Sequence, residues 1–274
     1  MVATVGFLVL SSCASNDQVT AGGDNVGLGL PVSPVVVSEP PVIATPTTTS
    51  TTTTVAAALP TTSSLAPDPF RTFIATAKED VLWLSPSIEP EGDPFPLPFA
   101  VPNPHQFGGP LTLMVVSGGP GDDWFEVQLP IRPNGQTAWV SAEQYDLSET
   151  RLRAEVDLST TRVAIYDGDQ LLTESTSVIG AESSPTPFGT FYVAAKRQNP
   201  PDEQFLGPWA VVLSGFSETL DTFSGGQPVI AIHGTDQPGL VGQALSNGCV
   251  RVPNDVITFI AENLPLGAPV VVSS

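Results

Sequence analysis

From Phe70 onward, short runs rich in Val, Ile, Phe and Thr alternate with polar residues, and Gly, Pro and Asn punctuate them. FRTFIATA and TLMVVSGG read as strands. WFEVQLPIRPNGQTAWVSAEQY reads as a hairpin, with Asn134-Gly135 supplying the positive φ angles of a tight turn. The alternation of Phe125, Val127 and Leu129 with Trp139 predicts a sheet with one wet face. RLRAEVDLSTTRVAIYDGDQLLTESTSVIG alternates about a turn at Asp167-Gly168-Asp169. PTPFGTFYVAAK and WAVVLSG add strands on either side of the polar loop KRQNPPDEQFLGP. Helical spacing is convincing only in PNDVITFIAENL, where Asn254 or Asp255 is placed to cap and Val256, Phe259, Ile260 and Leu264 fall on one face. The expected fold is mostly β.

The residues before Phe70 read differently. Residues 2–10 are apolar, followed by small residues and Cys13, and the quartet Leu10-Ser11-Ser12-Cys13 resembles a bacterial lipobox, in which the cysteine is lipidated. A cationic leader is missing, since the first basic residue is Arg71. Residues 14–68, with TPTTTSTTTT at 45–54, bury too little apolar surface to offset chain entropy and are expected to form a disordered tether. As a flexible coil such a tether has a span of about 40 Å. The sequence thus divides into a lipoprotein-like signal (1–13), the tether (14–68), a small β domain (69–148) and a C-terminal domain (149–274). Export to the cell envelope, with lipid anchoring to the outer face of the cytoplasmic membrane, is the expected location.

Charge removes whole classes of partner. The chain of 274 residues carries 28 acids against nine Lys and Arg, a formal charge of −19. Phosphate backbones are bound by clustered cations, and no such cluster occurs, so nucleic acid is not an expected partner. Electrostatic adsorption to an anionic membrane is not expected on the same ground, leaving a lipid anchor as the expected membrane contact. With Cys13 lipidated or removed, two histidines and the one remaining cysteine do not make up a standard zinc shell, so no metal and no cofactor are expected.

The candidate chemistry lies near the C-terminus. PVIAIHGTDQPGL places His233 at the end of an apolar run, and LSNGCVRVPN places Cys249 sixteen positions later, just before the helix. A thiol with pKa ~8.5 is mostly protonated at neutral pH. A neighbouring imidazole can take its proton and later return it to a leaving amine. The other histidine, His105, sits in the loop VPNPHQF and is the poorer candidate. Gly248 permits a sharp turn, so the N–H groups of Gly248 and Cys249 are candidate donors to a developing oxyanion. Arg251 is a candidate for a substrate carboxylate or for orienting the loop. Against this stands the plainer possibility that a lone cysteine in apolar company is a packing residue.

Taken together, VIG, PTPFGTFYV, IHGT and SNGCVRV resemble the L,D-transpeptidase catalytic domain family over about residues 151–273. That family comprises the cysteine enzymes that cross-link bacterial peptidoglycan. The resemblance implies a β-rich domain with the thiol in a cleft under a loop, Cys249 as the acylated nucleophile and His233 as its acid/base partner. Ser246, Gly248 and Arg251 match conserved positions of the motif, Gly234 follows the histidine, and Asn247 stands where many members carry histidine. Residues 69–148 resemble a bacterial SH3-like β-barrel, mainly through the hairpin and the Trp139-Val140 pair.

The function these features imply is a peptidoglycan L,D-transpeptidase that joins stem peptides through a cysteine acyl-enzyme in cell wall biogenesis. An L,D-carboxypeptidase using the same acyl-enzyme, and a non-catalytic wall-binding lipoprotein, are the alternatives. Expected ligands are peptidoglycan stem peptides, with carbapenem-type β-lactams as inhibitors. The loop carrying Lys196, Arg197 and Asp202, near Trp209, is expected to shape the channel for an acyl acceptor.

Overall fold

The computed structural model describes residues 68–78, 81–84, 99–105, 108–202 and 204–274, so Cys13 and nearly all of the expected tether lie outside the described residues. The N-terminal strands are β1 (Thr72–Ala77), β2 (Val81–Leu84), β3 (Phe99–Pro102), β4 (Thr112–Ser117), β5 (Trp124–Gln128), β6 (Thr137–Ser141) and β7 (Tyr145–Thr150). Where an SH3-like barrel is expected, five of them form an antiparallel sheet in the order β6-β5-β4-β1-β7, and β2 and β3 pair as a separate ribbon. Leu111, Leu113, Phe125, Val127 and Val140 fill the buried side of this sheet.

After Arg151 the chain enters a second sheet. Its elements are β8 (Leu152–Asp157), β9 (Arg162–Asp167), β10 (Gln170–Thr176), β11 (Ile179–Gly180), β12 (Gly189–Gln198), β13 (Trp209–Phe216), β14 (Val229–His233), β15 (Ala244–Ser246), β16 (Val250–Arg251), the helix α1 (Asn254–Asn263) and β17 (Pro269–Ser273). Eight strands run in the order β10-β9-β8-β17-β12-β13-β14-β16, while β11 and β15 pair in parallel beside them. Within the eight, β8 with β17 and β14 with β16 are parallel, and the other neighbours are antiparallel.

The middle of this sheet is covered on both faces, which is why β13 and β14 read as nearly continuous apolar runs rather than as alternation. On one face Val193, Val211, Leu213, Ile230 and Ile232 pack with Ile257, Ile260 and Ala261 of α1. On the other, Tyr192 and Ala194 of β12 join the core of the five-stranded sheet. The helix is where the sequence places it, but its core stripe is Ile257, Ile260, Ala261 and Leu264, with Val256 and Phe259 only partly buried beside it. Neither expected cap is used. Pro253 occupies the capping position without a side-chain bond, and Asn254 is engaged elsewhere.

The hairpin also differs from expectation. Glu126, not an inward residue, pairs with Trp139, so Trp139 lies on the outer face and Ala138 and Val140 share the buried face with Val127 and Phe125. Asn134-Gly135 sits within a longer loop that the Leu129 N–H to Gln136 carbonyl bond closes at 2.8 Å. Gly135 does take a positive φ of 83°. Asn134 has a role that turn chemistry hides. Its Oδ1 accepts the Phe216 N–H at 2.9 Å and its Nδ2 donates to the Phe216 carbonyl at 2.8 Å, completing a strand-like pair with β13. Arg132 beside it donates to the carbonyls of Ser217 and Asp221.

Asn134→Ala removes both partners of Phe216 at this junction. Loss of partly buried backbone bonds of this kind costs about 1–3 kcal/mol. Urea denaturation should register that loss; a variant as stable as wild type would mean that the Asn134 bonds add nothing to the joint that apolar contact and the Arg132 bonds make.

Candidate functional site

The parallel pairing of β14 with β16 brings the expected residues together. Ile232 lies opposite Val250 and His233 opposite Arg251. Continuing that register sets Ala231 opposite Cys249, and the Ala231 N–H points at Cys249 Sγ from 3.4 Å. Successive residues of a strand face opposite ways. Ile230, Ile232, Val250 and Val252 therefore enter the core under α1, while Ala231, His233, Cys249 and Arg251 share the other face. Cys249 and His233 are diagonal neighbours across one strand pair.

The turn before the thiol is built by Ser246 and Gly248. The Ser246 hydroxyl donates to the Cys249 carbonyl at 2.5 Å and accepts the Gly248 N–H at 3.1 Å. Gly248 has φ of 109°, and a Cβ there would stand 2.9 Å from the Ile230 side chain, so both conformation and space require glycine. The Gly248 N–H, expected to face an oxyanion, is instead engaged inside the turn. Asn247 is half-buried at the bend.

His233 is fully buried, and its Nδ1 lies 2.6 Å from the carbonyl of Gly234. A carbonyl only accepts, so this contact requires the proton on Nδ1 and leaves the Nε2 lone pair open. Among the described residues Nε2 makes no hydrogen bond of good geometry, and the nearby Leu206 carbonyl favours the protonated ring. Burial first, and then the cation of Arg251, push the imidazole down to about 3, against the opposing pull of the Gly234 and Leu206 carbonyls. A ring so placed is neutral over the physiological range and can accept a proton. Arg251 is itself buried, with its backbone bonded to Val178 in both directions. Burial lowers its pKa and Asp236 partly offsets the effect.

The loop between β12 and β13 covers the pair. Leu206, with Phe205 beside it, packs on Cys249 and Ala231. Asn199 closes this loop by donating to the carbonyls of Leu206 and Gly207 at 3.3 and 2.9 Å. Of the residues expected to shape an acceptor channel, Lys196 turns away to bond the Ala261 carbonyl of α1 at 2.7 Å, Arg197 bonds Asn199, and Asp202 is exposed. A cleft of about 530 Å³ borders the loop, lined by Pro200, Gln204, Gly207, Asp236 and Asn254 among others, with neither Cys249 nor His233 in its wall. His105 is buried in the N-terminal part, where desolvation lowers its pKa. Among the described residues no group of three or more His, Cys, Asp and Glu is placed to hold a metal, and no helix is long and apolar enough to cross a membrane.

Sequence reasoning missed two participants. Leu206 reads only as a loop residue, and Asn254 only as a helix cap; neither carries a local signal that it meets Cys249 or the Gly234–Thr235 peptide beside His233.

Comparison with known proteins bears on this site as a whole. The sequence model of the YkuD family, the L,D-transpeptidase catalytic domain, matches residues 151–272. The provisionally named L,D-transpeptidase YkuD of Bacillus licheniformis is 27% identical over 118 residues, covering 43% of this chain and 63% of that protein. The provisionally named L,D-transpeptidase YqjB of Bacillus subtilis is 30% identical over 99 residues, covering 32% of this chain and 52% of that protein. The chain thus spans less than two-thirds of either relative. Among solved structures, an L,D-transpeptidase from Mycobacterium smegmatis aligns with 59% of this chain and 82% of its own, at 16% identity and a TM-score of 0.38. The match runs from β8 into β17 and takes in every residue of the buried Cys249–His233 face, so residues 151–272 are similar to the L,D-transpeptidase catalytic domain over the whole of this site.

Proposed function

We propose that this domain is a peptidoglycan L,D-transpeptidase in which Cys249 is the nucleophile and His233 the proton carrier. The observation that carries the reading is the state of His233: a neutral imidazole, its Nδ1 proton held by a backbone carbonyl, on the same sheet face as the thiol. In the first step the Cys249 sulfur attacks the carbonyl of an L,D peptide bond in a donor stem. His233 Nε2 takes the thiol proton and delivers it to the departing D-alanine amine, leaving a thioester. An amine of a second stem then attacks the thioester, the C–S bond breaks, and the amine proton passes through His233 to the sulfur.

The surroundings support this chemistry. Leu206 and Phe205 exclude water from the pair, which strengthens every electrostatic interaction within it. Ala231 N–H favours the thiolate as it forms. The buried Arg251 cation favours anionic species beside it, and Ser246 with Gly248 fixes the loop that presents the sulfur. The cleft beside the 199–208 loop is the candidate path for a stem peptide. The five-stranded sheet, read as an SH3-like module, serves in this account to brace β12 and β13 from behind.

A strained β-lactam offers an amide carbonyl to the same thiolate. A carbapenem should therefore add once to the wild-type protein, at Cys249, as read by intact mass and peptide mapping. Cys249→Ala should form no adduct, and His233→Ala should acylate about 10²–10⁴-fold more slowly while remaining folded. An adduct that persists in Cys249→Ala places the nucleophile elsewhere.

The acceptor is decided by products. Water at about 55 M competes for the thioester, and orientation of an amine can supply effective molarities of 10⁵ M or more. Incubation with disaccharide-tetrapeptide should give cross-linked dimer together with free D-alanine. Tripeptide as the sole product at every substrate concentration would make the protein an L,D-carboxypeptidase, and no product of either kind would favour a non-catalytic wall-binding role.

A further inference from the structure

The residue sequence reasoning assigned to a helix cap sits one peptide unit from the histidine. Asn254 opens α1, yet its Oδ1 reaches back across the sheet edge to accept the Thr235 N–H at 2.9 Å. The Thr235 N–H and the Gly234 C=O belong to the same planar peptide unit, and planarity ties their directions together. The far end of that unit, the Gly234 carbonyl, is the group that lies 2.6 Å from His233 Nδ1. Hence Asn254 Oδ1, one peptide plane and the imidazole form a continuous hydrogen-bonded chain. The donor identity fixes the amide as well: only the oxygen of Asn254 can face an N–H.

Packing holds this chain in place. A Cβ on Gly234 or on Gly207 would collide with Asn254 Oδ1, so the amide is seated directly on two glycine backbones. The Gly234 N–H is bonded to the Trp209 carbonyl at 3.3 Å, and the Val252 N–H to the His233 carbonyl at 2.9 Å, which leaves little freedom on either side. Hydrogen bonds in series polarise one another, so a bond accepted at Thr235 N–H makes the Gly234 carbonyl a better acceptor.

We propose that Asn254 is a positioning residue for His233, acting through the Gly234–Thr235 peptide to hold the imidazole in its Nδ1-protonated tautomer with Nε2 facing the thiol side. The role of a third side chain in orienting a catalytic histidine is here divided between a backbone peptide and a distant amide. The inference rests on His233 being the proton carrier proposed above, and its test includes a readout independent of that activity.

The experiment is ¹⁵N correlation spectroscopy of the imidazoles in the full chain, which holds only His105 and His233, for wild type, Asn254→Ala and Asn254→Asp. In wild type, His233 should show a single tautomer, protonated on Nδ1. Asn254→Ala should lose that single state, with an Nε2-protonated form appearing. Carbapenem acylation should fall about 10–100-fold, the usual loss when an outer hydrogen-bond partner of a functional imidazole is removed. Asn254→Asp keeps the acceptor oxygen and should keep the tautomer, while its charge raises the titration midpoint of His233. If Asn254→Ala does not fold, the aspartate variant decides alone: an unmoved midpoint or a lost tautomer overturns the proposal. A wild-type tautomer retained in Asn254→Ala overturns it too. Absence of any acyl adduct in wild type would instead defeat the proposed function and leave the tautomer result to stand or fall by itself.

Discussion

The parallel pairing of Val250–Arg251 with Ile232–His233 is the constraint on which the rest of the site depends. A two-residue strand adds few hydrogen bonds of its own, yet its register decides which side chains meet. A slip of one residue would send Cys249 into the core under α1 and bring Val250 to the loop side. The register is held from both directions. Val250 and Val252 enter the apolar core beneath the helix, and Arg251 is bonded through its backbone to Val178 on the outer side. The Ser246–Gly248 turn then leaves the sulfur one diagonal step from the imidazole.

The electrostatics follow from that burial. An imidazole with no exposed surface, beside a buried guanidinium, is costly to protonate, and the Gly234 and Leu206 carbonyls offset this only in part. The imidazole on the Cys249 face is consequently a neutral proton acceptor. Water exclusion by Leu206 and Phe205 makes the few dipoles aimed at the sulfur count for more. The five-stranded sheet contributes at a distance. By burying Tyr192 and Ala194 and pairing Asn134 with Phe216, it stiffens the two strands that carry the covering loop between them.

Much of this was legible in the sequence, for identifiable reasons. Period-two alternation exposed the strands of the N-terminal sheet, and helical spacing located α1, because both report burial of one face. The IHGT and SNGCVRV stretches located the pair because cysteine and histidine are each so rare in this chain, with two of each. What was hidden depends on contacts between segments far apart in the chain. Asn134 reads as a turn residue and proves to be a mimic of strand pairing; Asn254 reads as a cap and bonds Thr235 instead. Gly248 was singled out correctly for its backbone conformation, but its N–H serves the turn. Lys196 reads as a loop cation and bonds a helix carbonyl. Trp139 was misplaced because an apolar side chain on the outer face of a two-sided sheet cannot be told from an inner one by alternation alone.

The central claim is that the buried neutral imidazole of His233 allows Cys249 to take an acyl group from a natural donor. The most direct measurement is rapid-quench intact-mass analysis of the protein mixed with a tetrapeptide stem, followed by peptide mapping. The account predicts a transient mass increase equal to the tripeptide acyl group, located on Cys249 and labile to hydroxylamine, appearing as D-alanine is released. D-alanine release with no acylated species at any mixing time, or an acyl group on another residue, would contradict it.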